Sequence, residues 1–418
     1  MTRISVFTPS HNPVHLETCY RSLAAQTFTD WEWVVLLNGK TRTWSPSEAD
    51  SRVRVHRASS TTKGIGALKR EACALAEGEI LVELDHDDVL SSDALAAVDQ
   101  AFRDTPGAVL VFSDFAQIDE AGEPEFTRFD EASGWSYDTR SVDGRDYLVC
   151  NALEPSPHNV GLIWFAPNHV RAFLRSAYEA IGGYDVSLSV LDDQDLMIRL
   201  FLIGDFARIP RCLYLQRWHA KNTQRDPKTN AFIQSETVRM YFDAIEPLCL
   251  AWTFRRGLRA LSLTTPTSVG ATLMSAQAGV ETMLIDPLLP RLEAADDSVG
   301  VIEAYDILQR VPDRAAFLNE CYRVLVHGGM LLTTTPSTDG RGAWQDPSHV
   351  AFYNENSFRY LTDLSVRQTI PDLTARLQVS QVRSFFPSPE HERLLIPYVQ
   401  ANLLAVKTGP RQGGHLNS

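Results

Sequence analysis

The sequence predicts an α/β protein made of two consecutive α/β domains. Short β-branched runs alternate with stretches of helical period along the N-terminal part, a second alternating series begins after residue 255, and a mixed helical segment separates them. Such alternation is the pattern of a parallel, doubly wound sheet, whose strands read as short, continuous apolar runs. The length of 418 residues also exceeds what one ordinary hydrophobic core organises.

In the first series Ile4 to Thr8 is a strand, Leu16 to Ala25 a helix, Trp31 to Leu37 a strand, Ala67 to Ala76 a helix, and Ile80 to Leu84 a strand. Ala108 to Phe112 adds a strand. The polar stretch from Asp119 to Asp146 reads as irregular, a lid or an acceptor wall, and helices are expected over Pro167 to Ala180 and Asp193 to Leu202. The linking segment runs from Phe232 to Arg259. Beyond it, strands are expected at Leu261 to Leu263, Glu281 to Ile285, Val299 to Ala304 and Gly329 to Thr335, with a helix from Ala315 to Leu325 and a final strand pair around Leu377 to Phe386 and Val399 to Lys407. This divides the chain into a first domain (1–230), a helical linker (231–258), a second domain (259–408) and a disordered glycine-containing tail (409–418).

The net charge of −13 argues against broad nucleic-acid binding, which needs a basic surface. Six scattered cysteines without CxxC spacing indicate neither a zinc site nor a disulfide framework. The N-terminus enters a strand directly, and no apolar run is long enough to span a bilayer, so a cytoplasmic location without membrane insertion is expected.

The chemistry concentrates where Ile80-Leu81-Val82-Glu83-Leu84 ends in Asp85-His86-Asp87-Asp88. Crowded carboxylates repel one another, and a hard divalent cation, Mn2+ or Mg2+, is the simplest compensation; such an ion in turn attracts phosphate. A strand-ending turn that caps the next helix through Ser91-Ser92-Asp93 explains the same residues without a metal, and the run alone leaves both open. In open α/β sheets ligands bind beyond the carboxyl ends of the strands, where Pro9-Ser10-His11-Asn12, Asn38-Gly39 and Asp85 to Asp88 all fall.

The loop order, with Lys63-Gly64 leading to Lys69-Arg70 and then Gly78-Glu79-Ile80, resembles the large inverting family of GT-A-type glycosyltransferases. So do Gly182-Gly183-Tyr184-Asp185, Asp192-Asp193-Gln194-Asp195-Leu196 and Arg217-Trp218-His219, which brings the likeness to roughly residues 3 to 225. The resemblance implies a nucleotide-sugar-binding, Rossmann-like domain using a nucleotide-diphosphate sugar, with a UDP-sugar as first choice. It implies that Thr8, Pro9 and His11 pack around the base with Asn38 nearby, and that Lys69 reaches the base or diphosphate. Asp85 and Asp87 would serve the ribose and the metal, Asp87 as the direct ligand with Asp88 in support. Asp193 would be the general base for a glycan or protein hydroxyl, and His219 would return to the metal. Asp114 is a candidate contact to the donor sugar, with a turn role equally open. Leu37-Asn38 stands where the family usually has two acidic residues, which makes uridine less secure.

Val299 to Asp306, Asn319 to Leu325, Gly328-Gly329-Met330 and Asp346-Pro347-Ser348-His349 resemble the latter half of a class I S-adenosylmethionine-dependent methyltransferase. Asp286 falls where that family's ribose-binding acid stands. Thr264 to Gly270 holds one glycine and a proline where a glycine-rich loop should approach the cofactor, and Gln309-Arg310 replaces a frequent Glu-His. The expectation is a degenerate methyltransferase-like domain serving as scaffold, acceptor-docking surface or dimer contact, without S-adenosylmethionine. The alternatives are a bifunctional glycosyltransferase and methyltransferase, and an inactive nucleotide-binding module.

Overall fold

A computed structural model describes residues 3–39, 43–59, 62, 64–125, 135–162, 169–218, 227–266, 274–370 and 372–409. The chain is α/β and divides into two compact units between Ala244 and Ile245, apart from Ser156–His158, which group with the second.

The first unit is built on an 11-stranded sheet. Its strands are β1 (Ile4–Ser10), β2 (Trp31–Leu37), β3 (Val53–Arg57), β4 (Ile80–Glu83), β5 (Val89–Leu90), β6 (Ala108–Ile118), β7 (Pro124–Glu125), β8 (Ser136–Val142), β9 (Arg145–Asn151), β10 (His169–Leu174) and β11 (Asp205–Arg217). The main path runs β3-β2-β1-β4-β10-β6-β11-β5. β3, β2, β1 and β4 are parallel, so their carboxyl ends face one way. Helices α1 (Leu16–Ala24) and α2 (Ile65–Leu75) make the crossovers; α1 buries Leu16, Cys19, Tyr20 and Leu23, a single helical stripe. Further helices are α3 (Ala94–Asp104), α4 (Pro157–Val160), α5 (Arg175–Ala180) and α6 (Asp192–Ile203).

Two expectations are corrected here. The helix expected over residues 167–180 is strand β10 followed by the short α5. β10 runs antiparallel to both β4 and β6, so the sheet is mixed. Val170, Ala172 and Phe173 are fully buried there, and this central position between two strands overrides local preference. The stretch expected to be irregular contains the β8–β9 hairpin. Asp143 and Gly144 occupy its turn with φ of 50° and 81°, the left-handed pair that favours Asp-Gly in a two-residue loop.

The second unit has its own 6-stranded sheet, ordered β13-β12-β14-β15-β17-β16. The strands are β12 (Arg259–Thr264), β13 (Val280–Leu284), β14 (Val299–Tyr305), β15 (Leu325–Pro336), β16 (Leu377–Phe385) and β17 (Tyr398–Ala405). β13, β12, β14 and β15 are parallel, and β17 enters antiparallel between β15 and β16. The division between units falls inside α7 (Pro227–Arg255); α8 (Arg314–Val324) and the one-turn α9 (Gly342–Gln345) follow. Phe317, Leu318, Cys321 and Val324 of α8 pack with Ile302, Ala304, Leu331 and Leu403 of the sheet to form the core. All six cysteines are buried thiols, and among the described residues no helix is long and apolar enough to cross a membrane.

Candidate active site

The three loops after β1, β2 and β4 meet. The Asn38 amide donates to the Ser10 carbonyl at 2.9 Å, and a Cβ on Gly39 would lie 2.0 Å from the His11 carbonyl oxygen, so only glycine permits this approach. The His11 ring stands edge-on to His86, centroids 4.7 Å apart. Pro9 is partly buried, and Asn38 and His11 are exposed at this junction.

The acidic loop is anchored from behind. The Tyr214 hydroxyl donates to Asp88 at 2.7 Å and accepts the Asp85 amide at 3.2 Å, while the Arg217 amide donates to Asp88 at 2.6 Å. The Arg217 guanidinium holds the Asp87 carbonyl at 2.7 Å, and the Cys19 thiol approaches the carbonyls of His86 and Asp88 at 3.3 and 3.2 Å. Asp88 is thus turned inward as an anchor, leaving Asp85 and Asp87 partly exposed. Burial, then the charge of Glu83, pushes the Asp85 carboxyl up to about 7, against the opposing pull of Lys69.

Among the described residues no three His, Cys, Asp or Glu side chains gather as a metal group. Mg2+ and Mn2+ commonly take only one or two protein carboxylates and complete their shell with water and substrate phosphate. Asp85 and Asp87, hard oxygen donors whose crowding already favours a counter-charge, fit such a partial site. His219 lies outside the described residues.

Beneath the loop is a buried ion network. Lys69 from α2 pairs with Glu83 at 2.6 Å and Asp192 at 2.9 Å; Arg171 from β10 pairs with Glu83 at 3.0 Å and Asp193 at 2.9 Å. Glu83 and Arg171 lie opposite each other in the β4–β10 register. Burial alone would raise the Glu83 carboxyl, but Arg171 and Lys69 hold it down at about 2. Burial would likewise depress the Lys69 ammonium, yet Asp192 and Glu83 raise it above the ordinary lysine range. The first turn of α6 carries Asp192 and Asp193, as the helix dipole favours. Asp192 is buried against Lys69, whereas the Asp193 side chain keeps 19% exposure.

Three expected ligand contacts are placed elsewhere by this geometry. Thr8 is fully buried; its hydroxyl donates to the Leu84 carbonyl and accepts from the Trp33 indole, both at 2.8 Å, so it ties β1 to β4. Lys69 is occupied by two carboxylates in the interior. Asp114 is fully buried between Arg140 and Arg208 and also accepts the Ala152 amide at 2.8 Å, which satisfies its carboxylate inside the fold. Asp195 and Arg199 form the helical ion pair that their spacing suggests. Sequence reasoning missed Glu83, Arg171 and Tyr214. A signal existed for Glu83: a charge inside a parallel strand buried on both faces needs a partner.

The parallel strands β3, β2, β1 and β4 bring their carboxyl ends and the acidic loop to the place where open α/β sheets bind ligands. Residues 5–181 match the family model described as Glycosyl transferase family 2; Asp193 lies beyond the match. Chondroitin synthase of Escherichia coli is 25% identical over 226 residues, 53% of this chain and 29% of that protein. The O-antigen biosynthesis protein RfbC of Myxococcus xanthus is 33% identical over 156 residues, 35% of this chain and 12% of that protein. A probable S-adenosylmethionine-dependent methyltransferase of Mycolicibacterium smegmatis is 34% identical over 70 residues, 16% of this chain and 27% of that protein. The chain spans less than a third of the length of each of these relatives.

Proposed function

We propose that this chain is a metal-dependent, inverting glycosyltransferase that moves a sugar from a nucleotide-diphosphate donor, a UDP-sugar first, to a hydroxyl of a glycan or protein. One observation carries the reading: Glu83, the last residue of β4 and two residues before Asp85, is paired through Arg171 with Asp193 at the start of α6. The strand that leads into the acidic loop and the helix that opens with Asp193 are therefore joined by one buried ion network. The family 2 match and the two sugar-polymer relatives support the same chemistry.

In this mechanism Asp87, with Asp85, would hold Mn2+ or Mg2+, which would supply positive charge to the departing diphosphate. Asp193 accepts the proton of the acceptor hydroxyl as its oxygen bonds to the anomeric carbon and the bond to the diphosphate oxygen breaks. Attack opposite the leaving group inverts that carbon. Arg171 keeps the Asp193 carboxylate in place, and Tyr214 with Arg217 fixes the acidic loop. Pro9, His11 and Asn38 flank the base, while Lys69 acts from below by neutralising Glu83 and Asp192. Thr8 and Asp114 are structural.

The second unit is assigned as a degenerate methyltransferase-like domain that does not use S-adenosylmethionine, with domains at 1–230 and 259–408 around the 231–258 linker. The Asp286 carboxylate accepts the Leu288 amide of its own turn at 2.9 Å. The short methyltransferase relative supports the ancestry alone.

The decisive test is thermal stability of the full chain with UDP, GDP or TDP, with and without Mn2+, because a ligand for the native state raises its apparent stability. Metal-dependent stabilisation by at least one nucleotide is expected. No shift with any of them would refute the donor assignment.

A further inference from the structure

We propose that the second unit carries a glycan-binding shelf, built on Trp344, Phe352 and Tyr360, that holds the acceptor chain; its identification as an acceptor site rests on the glycosyltransferase reading. These three rings are 62%, 43% and 45% exposed, beside Val350 at 48%. Clustered exposed apolar surface is one mark of a binding site. Trp344 stacks on Phe352 with centroids 4.3 Å apart and planes 19° from parallel.

The shelf borders a cavity of about 700 Å3, in the size range of small-ligand sites. Phe352 and Tyr360 belong to both, and Leu318, Leu361 and Leu373 line the apolar part. Asp313, Arg314, Ser357 and Asp372 also line it, so donors and acceptors stand beside apolar walls. Tyr353 shares the lining, and its buried hydroxyl has no hydrogen-bond partner among the described residues.

Two backbone hydrogen bonds and an ion pair hold the segment that carries Trp344 and Phe352. The Val350 and Ala351 amides donate to the Gln309 carbonyl at 2.8 and 3.1 Å, and Arg310 pairs with Asp346 at 3.2 Å. Ordered aromatic rings on a pinned loop lose little conformational entropy on binding. A pyranose has an apolar C–H face and an edge of hydroxyls. The flat rings suit the first, and the mixed carboxylate, guanidinium and hydroxyl lining suits the second. A fatty chain would leave the buried Tyr353 hydroxyl without a partner, at the cost that buried polar groups carry.

The test titrates the full chain calorimetrically with chitotetraose, maltotetraose and chondroitin tetrasaccharide, with laurate as the apolar probe, and separately with UDP plus Mn2+. At least one saccharide should bind, and Trp344→Ala should weaken it about tenfold or more while Trp344→Phe retains most of the affinity. UDP binding should not change in either variant, since Trp344 is not among the residues assigned to the donor. Failure of all three saccharides, equal affinity in Trp344→Ala, or binding of laurate alone would overturn the shelf. Loss of UDP binding in wild type with saccharide binding intact would instead overturn the donor reading and leave the shelf standing as a glycan site.

Discussion

Replacing Lys69 by Met tests whether the ion network is structural or directly donor-binding. The Nζ lies 2.6 Å from Glu83 and 2.9 Å from Asp192, and all three side chains are at most 7% exposed. Methionine keeps the length of the stem and removes the charge, leaving Arg171 as the remaining cation bridging Glu83 and Asp193. Breaking a buried pair by removing one partner costs roughly 3–5 kcal/mol, because the other charge stays buried. Against its burial, Glu83 is held well below the ordinary glutamate range by Arg171 first and Lys69 second, so the variant loses part of that depression and keeps the rest. The sign follows from the depressed value. Glu83 stabilises the fold above its unfolded pKa, and that contribution is lost as pH falls through the folded one. In the variant the folded pKa of Glu83 rises, so falling pH relieves the variant while it costs the wild type. The stability gap should therefore be widest near neutrality and narrow toward about pH 4. Urea unfolding of both full chains across that range measures it. A loss below about 1 kcal/mol, accompanied by a hundredfold loss of nucleotide affinity, would refute the buried-network argument and return Lys69 to the diphosphate.

Asp193→Asn keeps an oxygen for Arg171 and should leave nucleotide binding intact while lowering transfer by about 10²–10⁴-fold; unchanged turnover would mean another base. Asp87→Ala should abolish the Mn2+-dependent part of nucleotide stabilisation, as EDTA should in wild type, and a persisting metal effect in thermal shift would move the ligand elsewhere. Tyr214→Phe removes the hydroxyl that bridges Asp88 and the Asp85 amide, leaving a buried carboxyl short of one donor; a stability loss of about 1–3 kcal/mol and weaker metal-dependent nucleotide binding are expected, checked by denaturation and calorimetry. Isothermal titration with S-adenosylmethionine should show no binding; micromolar affinity lost in Asp286→Ala would revive a methyl-transfer role.

The elements carried by continuous periodicity were legible. β2 (Trp31–Leu37), α2 (Ile65–Leu75), β14 (Val299–Tyr305) and α8 (Arg314–Val324) fall within a few residues of the expected bounds, because their core faces follow directly from side-chain order. β10 was not legible as a strand: Val170-Arg171-Ala172-Phe173 has no decisive period, and only its place between β4 and β6 fixes it. The β8–β9 hairpin was within reach, since Asp143-Gly144 carries its turn chemistry in the sequence.

The candidate site divides along the same line. By itself the sequence determined that Asp85, Asp87 and Asp88 crowd the end of β4 and that Asp192 and Asp193 open α6, because adjacent residues share an element however the chain packs. Only the tertiary structure decided which of them remain at the surface. Tyr214 and the Arg217 amide, far along the chain, turn Asp88 inward; Lys69 claims Asp192; and Arg140 with Arg208 claims Asp114. A carboxylate's role depends on the charges and donors within a few ångströms of it. Those neighbours come from distant segments, through pairings such as Arg171 opposite Glu83, which no local pattern records.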